Sequence, residues 1–176
     1  VFVNVLLEQA GLPIPALPTL LLAGALAADG KLSAPLILVV AVAASFIADY
    51  PWYLAGRRLG YRALRTVCRV SVSPESCVRQ TEAVFERYGL LSLVVAKFIP
   101  GYSTVAPALA GILGTRPLSF VLYNTAGAAV WAGSAVAGGV IFHRVVDRVV
   151  ASLDGLGAWG LALLVLGLVL YLLIRW

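Results

Sequence analysis

Ionisable residues are sparse along this chain, and they cluster. None lies between Glu8 and Asp29. Residues 32–48 run uncharged to Asp49, and the apolar stretch continues through Trp52 to Gly56. Residues 90–115 hold only Lys97, while 117–142 and 155–174 hold no charge. A spanning helix needs about 20 apolar residues, so each stretch is long enough to be considered. Two of them carry their own helix breakers. Pro13, Pro15 and Pro18 fall in the first, and Pro100, Gly101 and Pro107 in the stretch around Lys97. A proline inside a helix removes a backbone donor and clashes with the preceding turn, at about 3 kcal/mol. Backbone groups freed in lipid must be buried in protein or line a polar cavity. Residues 8–30 and 90–115 are therefore expected to run helix, break, helix as re-entrant hairpins, while 33–56, 117–142 and 155–175 are expected to span. The expected fold is an all-α polytopic membrane protein forming a single domain over 1–176.

The two broken stretches resemble each other. Leu22-Ala-Gly24-Ala-Leu26 recurs as Leu109-Ala-Gly111-Ile-Leu113, in each case shortly after a proline cluster. Each copy is followed by a polar turn and a long apolar run with a tryptophan, Trp52 or Trp131. Paired interrupted segments in corresponding halves point to a transport site near the bilayer midplane. Residues 57–88 differ in kind. Arg58, Arg62, Arg65 and Arg69 share one helical face, with Leu59, Ala63, Val67 and Val70 on another. That pattern predicts a basic amphipathic helix in the membrane interface. Ser73-Pro74-Glu75 then predicts a second helix start, and Gly89 a stop after Tyr88. Seven arginines between 57 and 87 place this loop in the cytoplasm by the positive-inside rule. Lys31 and the 144–148 stretch then lie on the opposite side, and the last span returns Arg175 to the cytoplasm.

Composition agrees with a bilayer protein. The chain is 61% hydrophobic and 12% charged over 176 residues, against about 45–50% and about 25% in soluble domains. The net charge of +5 gathers around the basic loop, which suits an anionic lipid surface rather than nucleic acid. Cys68 and Cys77 form no CxxC motif and His143 is the single histidine, so no metal site and no cofactor are expected. No Walker, HExxH, GxSxG or dinucleotide pattern occurs, and no enzymatic activity is expected. The chain opens at Val1 and contains no methionine, so no signal peptide is assigned.

Three charges sit at or inside apolar runs: Glu8, Asp49 and Lys97. A charge at the bilayer centre costs about 2.5–3.5 kcal/mol on insertion scales, so these either face a polar cavity or snorkel to an interface. Lys97 adjoins a helix break, which snorkelling leaves unexplained. Beyond Pro100-Gly101, Ser103 and Thr104 are placed to cap the next half-helix, with Pro107 in its first turns. A half-helix amino terminus offers free N–H groups and partial positive charge. With the Lys97 ammonium it would make a cationic pocket for phosphate or carboxylate, unless the hydroxyls merely cap their own helix. Glu8 is the candidate to accept a coupling proton or to pair with Lys97. Asp49 could share that proton role, anchor the backbone, or pair with Arg57 or Arg58. Gly56, Gly60, Gly127, Gly133, Gly138 and Gly139 suggest close helix packing. Trp52, Tyr53, Trp131, Trp159 and Trp176 suggest an interfacial belt.

Several stretches together resemble the DedA family of membrane proteins, which contains the VTT domain. They are Glu8-Gln-Ala-Gly-Leu-Pro-Ile-Pro15, Leu22-Ala-Gly24, Asp49-Tyr-Pro-Trp-Tyr-Leu-Ala-Gly56, Phe85-Glu-Arg-Tyr-Gly89, Lys97-Phe-Ile-Pro-Gly101, Ala110-Gly111 and Asn124 through Trp131. The resemblance covers about residues 8–142. It implies two opposed re-entrant helices in an inverted repeat, flanked by spans, in the bacterial cytoplasmic membrane. It also implies lipid translocation, with undecaprenyl phosphate moved at the expense of the proton-motive force. Leu17 stands where members often carry a second acid, and Lys97 and Ser103 where they commonly carry arginine. The Lys97-to-Thr104 version resembles members that can be fused to a rhodanese domain.

The expected function is a lipid-phosphate flippase or scramblase. Lys97, Pro100, Gly101, Ser103 and Thr104 would hold the phosphate, Glu8 and Asp49 would carry protons, and Pro13, Pro15, Pro18 and Pro107 would shape the hairpins. Two alternatives stand beside it: a transporter of a small anion such as a sulfur or selenium species, and a non-transporting scaffold using the basic 57–88 region. A homo-oligomer is left open.

Overall fold

The computed structural model describes residues 1–12, 14–68, 83–99 and 102–145, with the side chains of 65–68 excepted. The helices are α1 (Phe2–Gln9), α2 (Leu17–Ala28), α3 (Ala34–Leu59), α4 (Tyr61–Cys68), α5 (Leu91–Ala96), α6 (Tyr102–Ile112) and α7 (Pro117–Ile141). Residues 83–88 are also helical, and no strand occurs among the described residues. The expected span 155–175, the helix start at Ser73-Pro74-Glu75, Pro13, Pro100, Gly101 and Cys77 lie outside them.

The two long helices are α3 and α7, with 26 and 25 residues. At 1.5 Å per residue each exceeds the roughly 30 Å of bilayer hydrocarbon. Both are long and apolar enough to cross a membrane. Each starts where the sequence permits a sharp start. Ser33 and Arg116 have extended backbone and a proline follows in the first turn, where its missing N–H breaks no helical bond. Their outward faces are apolar, with Leu36, Val39 and Ile47 exposed on α3 and Leu118, Leu122 and Val130 on α7.

The two interrupted stretches do break. In the first, α1 stops at Gln9 because Gly11 takes φ +106. There Gly11 N–H donates to Glu8 C=O and Leu12 N–H to Leu7 C=O, each at 3.0 Å. This is the Schellman closure, a conformation for which glycine is suited. The chain then runs non-helically to Ala16 before α2 begins. In the second, α5 ends at Ala96, Lys97 to Ile99 turn, and α6 starts at Tyr102.

Several expectations are corrected. Pro18 does not break the chain; it occupies the first turn of α2, where a proline starts a helix. Pro107, in the second turn of α6, does not break the chain, since the helix passes through it. Ser103 and Thr104 fall within α6 as its second and third residues, so neither is the residue preceding the helix. The basic face is also divided. Arg57 and Arg58 belong to the last turn of α3, and Gly60 at φ +57 separates them from Arg62 on α4. Tyr53 and Trp131 are buried, at 0% and 4% exposure, and so are not belt residues. Tyr53 stacks on Phe120 with ring centroids 4.2 Å apart.

The packing is crossed between the halves. The first repeat's α2 lies on α7, where a Cβ added to Gly139 would fall 2.9 Å from the Gly24 Cα. The second repeat's α6 lies on α3, where a Cβ on Gly56 would fall 3.0 Å from the Ala108 Cα and one on Gly111 would fall 2.8 Å from the Arg57 nitrogen. Backbones this close need small residues at the crossing. Gly127 likewise admits α5, since a Cβ there would fall 2.8 Å from the Val94 Cα. The Leu-Ala-Gly repeat of the sequence is thus the seam by which each half grips the other.

Two apolar clusters result. One joins Val5, Leu20, Ala23, Ile37, Ala44, Trp131 and Ala135. The other joins Tyr53, Leu64, Phe85, Leu93, Leu109 and Phe120. Along α3 the first cluster precedes the second, and along α7 the order is reversed, so these helices run antiparallel. Between the clusters, at the middle of α3 and in the first third of α7, lies the buried polar site.

Candidate anion site at the junction of the breaks

Both breaks deliver a polar side chain to the middle of α3. The end of α1 supplies Gln9 and the end of α5 supplies Lys97. Helix α3 itself contributes Ser45 and Asp49, one turn apart on the same face, and α7 contributes Asn124. All five are buried: exposure is 1% for Gln9, 0% for Ser45 and Asp49, 5% for Lys97 and 1% for Asn124. Lys97 Nζ donates to Gln9 Oε1 at 3.0 Å and Ser45 Oγ at 2.9 Å, and it forms an ion pair with Asp49 Oδ2. Ser45 Oγ donates to the same Asp49 oxygen at 3.1 Å, and Asn124 Nδ2 at 2.9 Å.

An ammonium has three donors and no acceptor, and here each donor has an acceptor. The carboxylate is treated unequally. Asp49 Oδ2 takes three donors, whereas Asp49 Oδ1 is buried with no hydrogen-bond partner among the described residues. Asn124 Oδ1 is in the same condition. Desolvating both charges is costly and is offset only while pairing and hydrogen bonds are complete. The polar residues around the pair complete the ammonium's bonding and that of Asp49 Oδ2, but leave Asp49 Oδ1 without a partner among the described residues.

The remaining predicted residues divide into those near this centre and those away from it. Glu8 precedes Gln9 on α1. The Glu8 Oε2 is buried without a hydrogen-bond partner among the described residues. Lys97 pairs with Asp49 rather than Glu8. Thr104 marks where the breaks meet, since a Cβ on Gly11 would fall 3.5 Å from its Cγ2. Ser103 and Thr104 are buried on α6, but the hydrogen bonds of Lys97 go to Gln9, Ser45 and Asp49 instead. Arg57, the alternative partner for Asp49, is engaged elsewhere. It donates to the Tyr53 hydroxyl at 2.8 Å, and that hydroxyl donates to Thr115 C=O at 2.7 Å.

Sequence reasoning did not single out Gln9, Ser45 and Asn124 as site residues. Ser45 stands four residues before Asp49, a helical spacing that puts two polar groups on one face of an apolar span. Asn124 is the one side-chain amide in α7. These were the available signals.

This arrangement accompanies a family match over most of the chain. The VTT-domain profile matches residues 14–141. The chain belongs to the VTT-domain, or DedA, family of membrane proteins. Similar proteins include an uncharacterised membrane protein of Synechocystis, 33% identical over 146 residues, 83% of this chain and 67% of that protein. The inner membrane protein YghB of Escherichia coli K12 is 31% identical over 134 residues, 74% of this chain and 60% of its own length. The inner membrane protein YohD of the same organism is 29% identical over 112 residues, 64% of this chain and 56% of its own. The chain thus spans 56–67% of the length of these relatives. No solved structure gives a significant match.

Proposed function

We propose that this VTT-domain chain is a transporter, without enzymatic chemistry, that moves an anionic lipid across the cytoplasmic membrane. Undecaprenyl phosphate, or a related anionic phospholipid, fits this reading. The two broken segments act as opposed re-entrant hairpins, the basic 57–88 region faces the cytoplasm, and the phosphate meets Lys97 where the breaks converge. The tails remain in lipid along the apolar faces. Transport is coupled to the proton-motive force through the buried carboxyl groups.

One observation carries this reading: a lysine ammonium is buried against the middle of a helix long and apolar enough to cross a membrane, at the junction of two helix breaks. An intramembrane ionisable group in such a place is costly and serves ion or substrate passage by default. Broken helices near the midplane are the usual frame of transport sites.

A second reading has its own support. The Lys97 side chain is 1% exposed, and a small anion needs less opening to reach it than a lipid head group with tails. The Lys97-to-Thr104 sequence resembles that of rhodanese-linked members, and on that resemblance a sulfur or selenium species would be the cargo.

The test is flipping of a fluorescent short-chain polyprenyl phosphate in proteoliposomes, with and without a pH gradient. Flipping by the native chain and its loss in Lys97→Ala, with the fold retained, is the expected result. A native chain that does not flip the lipid but takes up selenite or sulfite moves the assignment to the small anion.

A further inference from the structure

Lys97 is already occupied by the protein. Its three donors end on Gln9 Oε1, Ser45 Oγ and Asp49 Oδ2, and the last of these is a carboxylate. An incoming anion must displace one of them. Displacing Gln9 or Ser45 sets the anion beside the Asp49 carboxylate, two negative groups sharing one ammonium in a buried site. Displacing Asp49 leaves a buried carboxylate without its counter-charge. Either arrangement is strongly unfavourable in low dielectric. Both are relieved by one proton on Asp49.

The structure holds a place for that proton. Asp49 Oδ1 is buried and has no hydrogen-bond partner among the described residues, while Oδ2 takes the donors of Lys97, Ser45 and Asn124. Protonation at Oδ1 forms an O–H bond without removing a donor from Oδ2. It cancels the charge that holds the ammonium and leaves Lys97 positive and free to turn to the anion. The proton comes from hydronium on the side of entry.

Other ionisable groups on the packed elements are few. Helix α1 brings Glu8, α6 Tyr102 and α7 Tyr123, while α2 brings none. On α3 itself stand Tyr50, Tyr53, Arg57 and Arg58. The α4 charges, including Arg62, lie beyond Gly60. Lys97 is the charged group that bonds Asp49, and Glu8 is the rival carboxyl.

Resting on the reading of Lys97 as the anion's partner, we infer that Asp49 is an internal competitor for the substrate anion, so that each anion binds together with one proton on Asp49. Gln9, Ser45 and Asn124 act as positioning residues that hold the competing state together. Proton and anion then cross together, and an inward proton gradient drives the anion inward.

The decisive experiment uses the full chain in lipid nanodiscs titrated with farnesyl phosphate. Calorimetry reads binding, and infrared difference spectroscopy reads the carbonyl band of a protonated carboxyl group. Addition of the phosphate is expected to raise that band in the native chain and in Glu8→Gln, but not in Asp49→Asn. Affinity in the native chain is expected to fall about tenfold per pH unit on the alkaline side, as one linked proton requires, and to lose that linked proton in Asp49→Asn. Should Asp49→Asn not fold, Glu8→Gln decides, because a band lost there assigns the proton to Glu8 and overturns the inference. Binding without any carboxyl band in the native chain also overturns it and leaves the anion site standing. No binding of farnesyl phosphate by the native chain removes the lipid-phosphate reading itself, and the inference with it.

Discussion

Lys97 and Asp49 are 48 residues apart in the chain and form an ion pair with side-chain exposures of 1% and 0%. The pair ties the second break to the middle of α3. Gln9 extends the tie to the first break, 88 residues away from Lys97. A pair so fully desolvated adds little net stability, because the cost of dehydrating two charges consumes most of their attraction.

Removing one partner should nevertheless be severe. Lys97→Met leaves Asp49 charged and buried, and Asp49→Leu does the same to Lys97. Each is expected to cost about 3–5 kcal/mol, whereas the double substitution should recover most of the loss. Thermal unfolding of the four proteins in one detergent measures the cycle. Additive single losses would show that the charges do not interact in the folded chain.

The crossed glycine seams give a second prediction. At Gly139 an added Cβ would meet Leu21 and Gly24 backbone, and at Gly56 it would meet Ala108 backbone; neither can give way like the end of a side chain. At Gly133 the nearest atom is Leu38 Cδ2 at 3.9 Å, an ordinary contact. Gly139→Ala and Gly56→Ala are expected to cost about 1–3 kcal/mol or more by overpacking, while Gly133→Ala should be near neutral. Yield and melting temperature after solubilisation separate the outcomes. Equal tolerance at all three sites would contradict the close crossing.

Much of this was legible in the sequence, and the physical reason divides what was from what was not. The ends of α3 and α7 are written locally, in apolar runs opened by Pro35 and Pro117. The existence of both breaks is written locally too, in the runs of proline and glycine, although Gly11 closes the first helix and neither Pro18 nor Pro107 interrupts one. The pairing of Asp49 with Lys97 is not local, and either carboxylate, Glu8 or Asp49, satisfies the same charge argument. Gln9, Ser45 and Asn124 are neutral, so no insertion cost flags them individually. Tyr53 and Trp131 show the limit most clearly, because an aromatic ring suits a lipid interface and a packed core equally well. The arginine face failed for a different reason: a period was extended through Gly60, where the backbone turns.

The end of α3 offers a third prediction. Tyr53 OH donates to Thr115 C=O at 2.7 Å and accepts from Arg57 at 2.8 Å, which fixes the α6–α7 turn against α3. Tyr53→Phe keeps the stack on Phe120 but removes the hydroxyl that links Thr115 C=O to Arg57, leaving only the direct Arg57 bond to that carbonyl at 3.5 Å. A loss of about 0.5–1.5 kcal/mol is expected from the hydrogen bond, with Arg57→Ala adding little more once the hydroxyl is gone. Denaturation of the single and double variants tests this. Independent, additive losses would mean that the two side chains do not act as one unit.

Gly60 gives the last prediction, and it isolates backbone conformation from packing. Its φ of +57 is left-handed, and a Cβ added there would meet nothing within 4 Å. With ψ −139 this conformation is one that residues other than glycine rarely adopt, so Gly60→Ala tests backbone strain alone, expected at about 1–3 kcal/mol. That penalty falls away if the variant straightens, letting α3 continue into α4. The charges of Arg57, Arg58 and Arg62 would then lie on a single rod instead of being divided by the turn. Spin labels at positions 54 and 64 read the choice directly. With the bend kept, their separation should be unchanged in Gly60→Ala and stability lower. A longer separation with stability retained would show that Gly60 alone maintains the bend, and identical stability at unchanged separation would remove the left-handed conformation at residue 60.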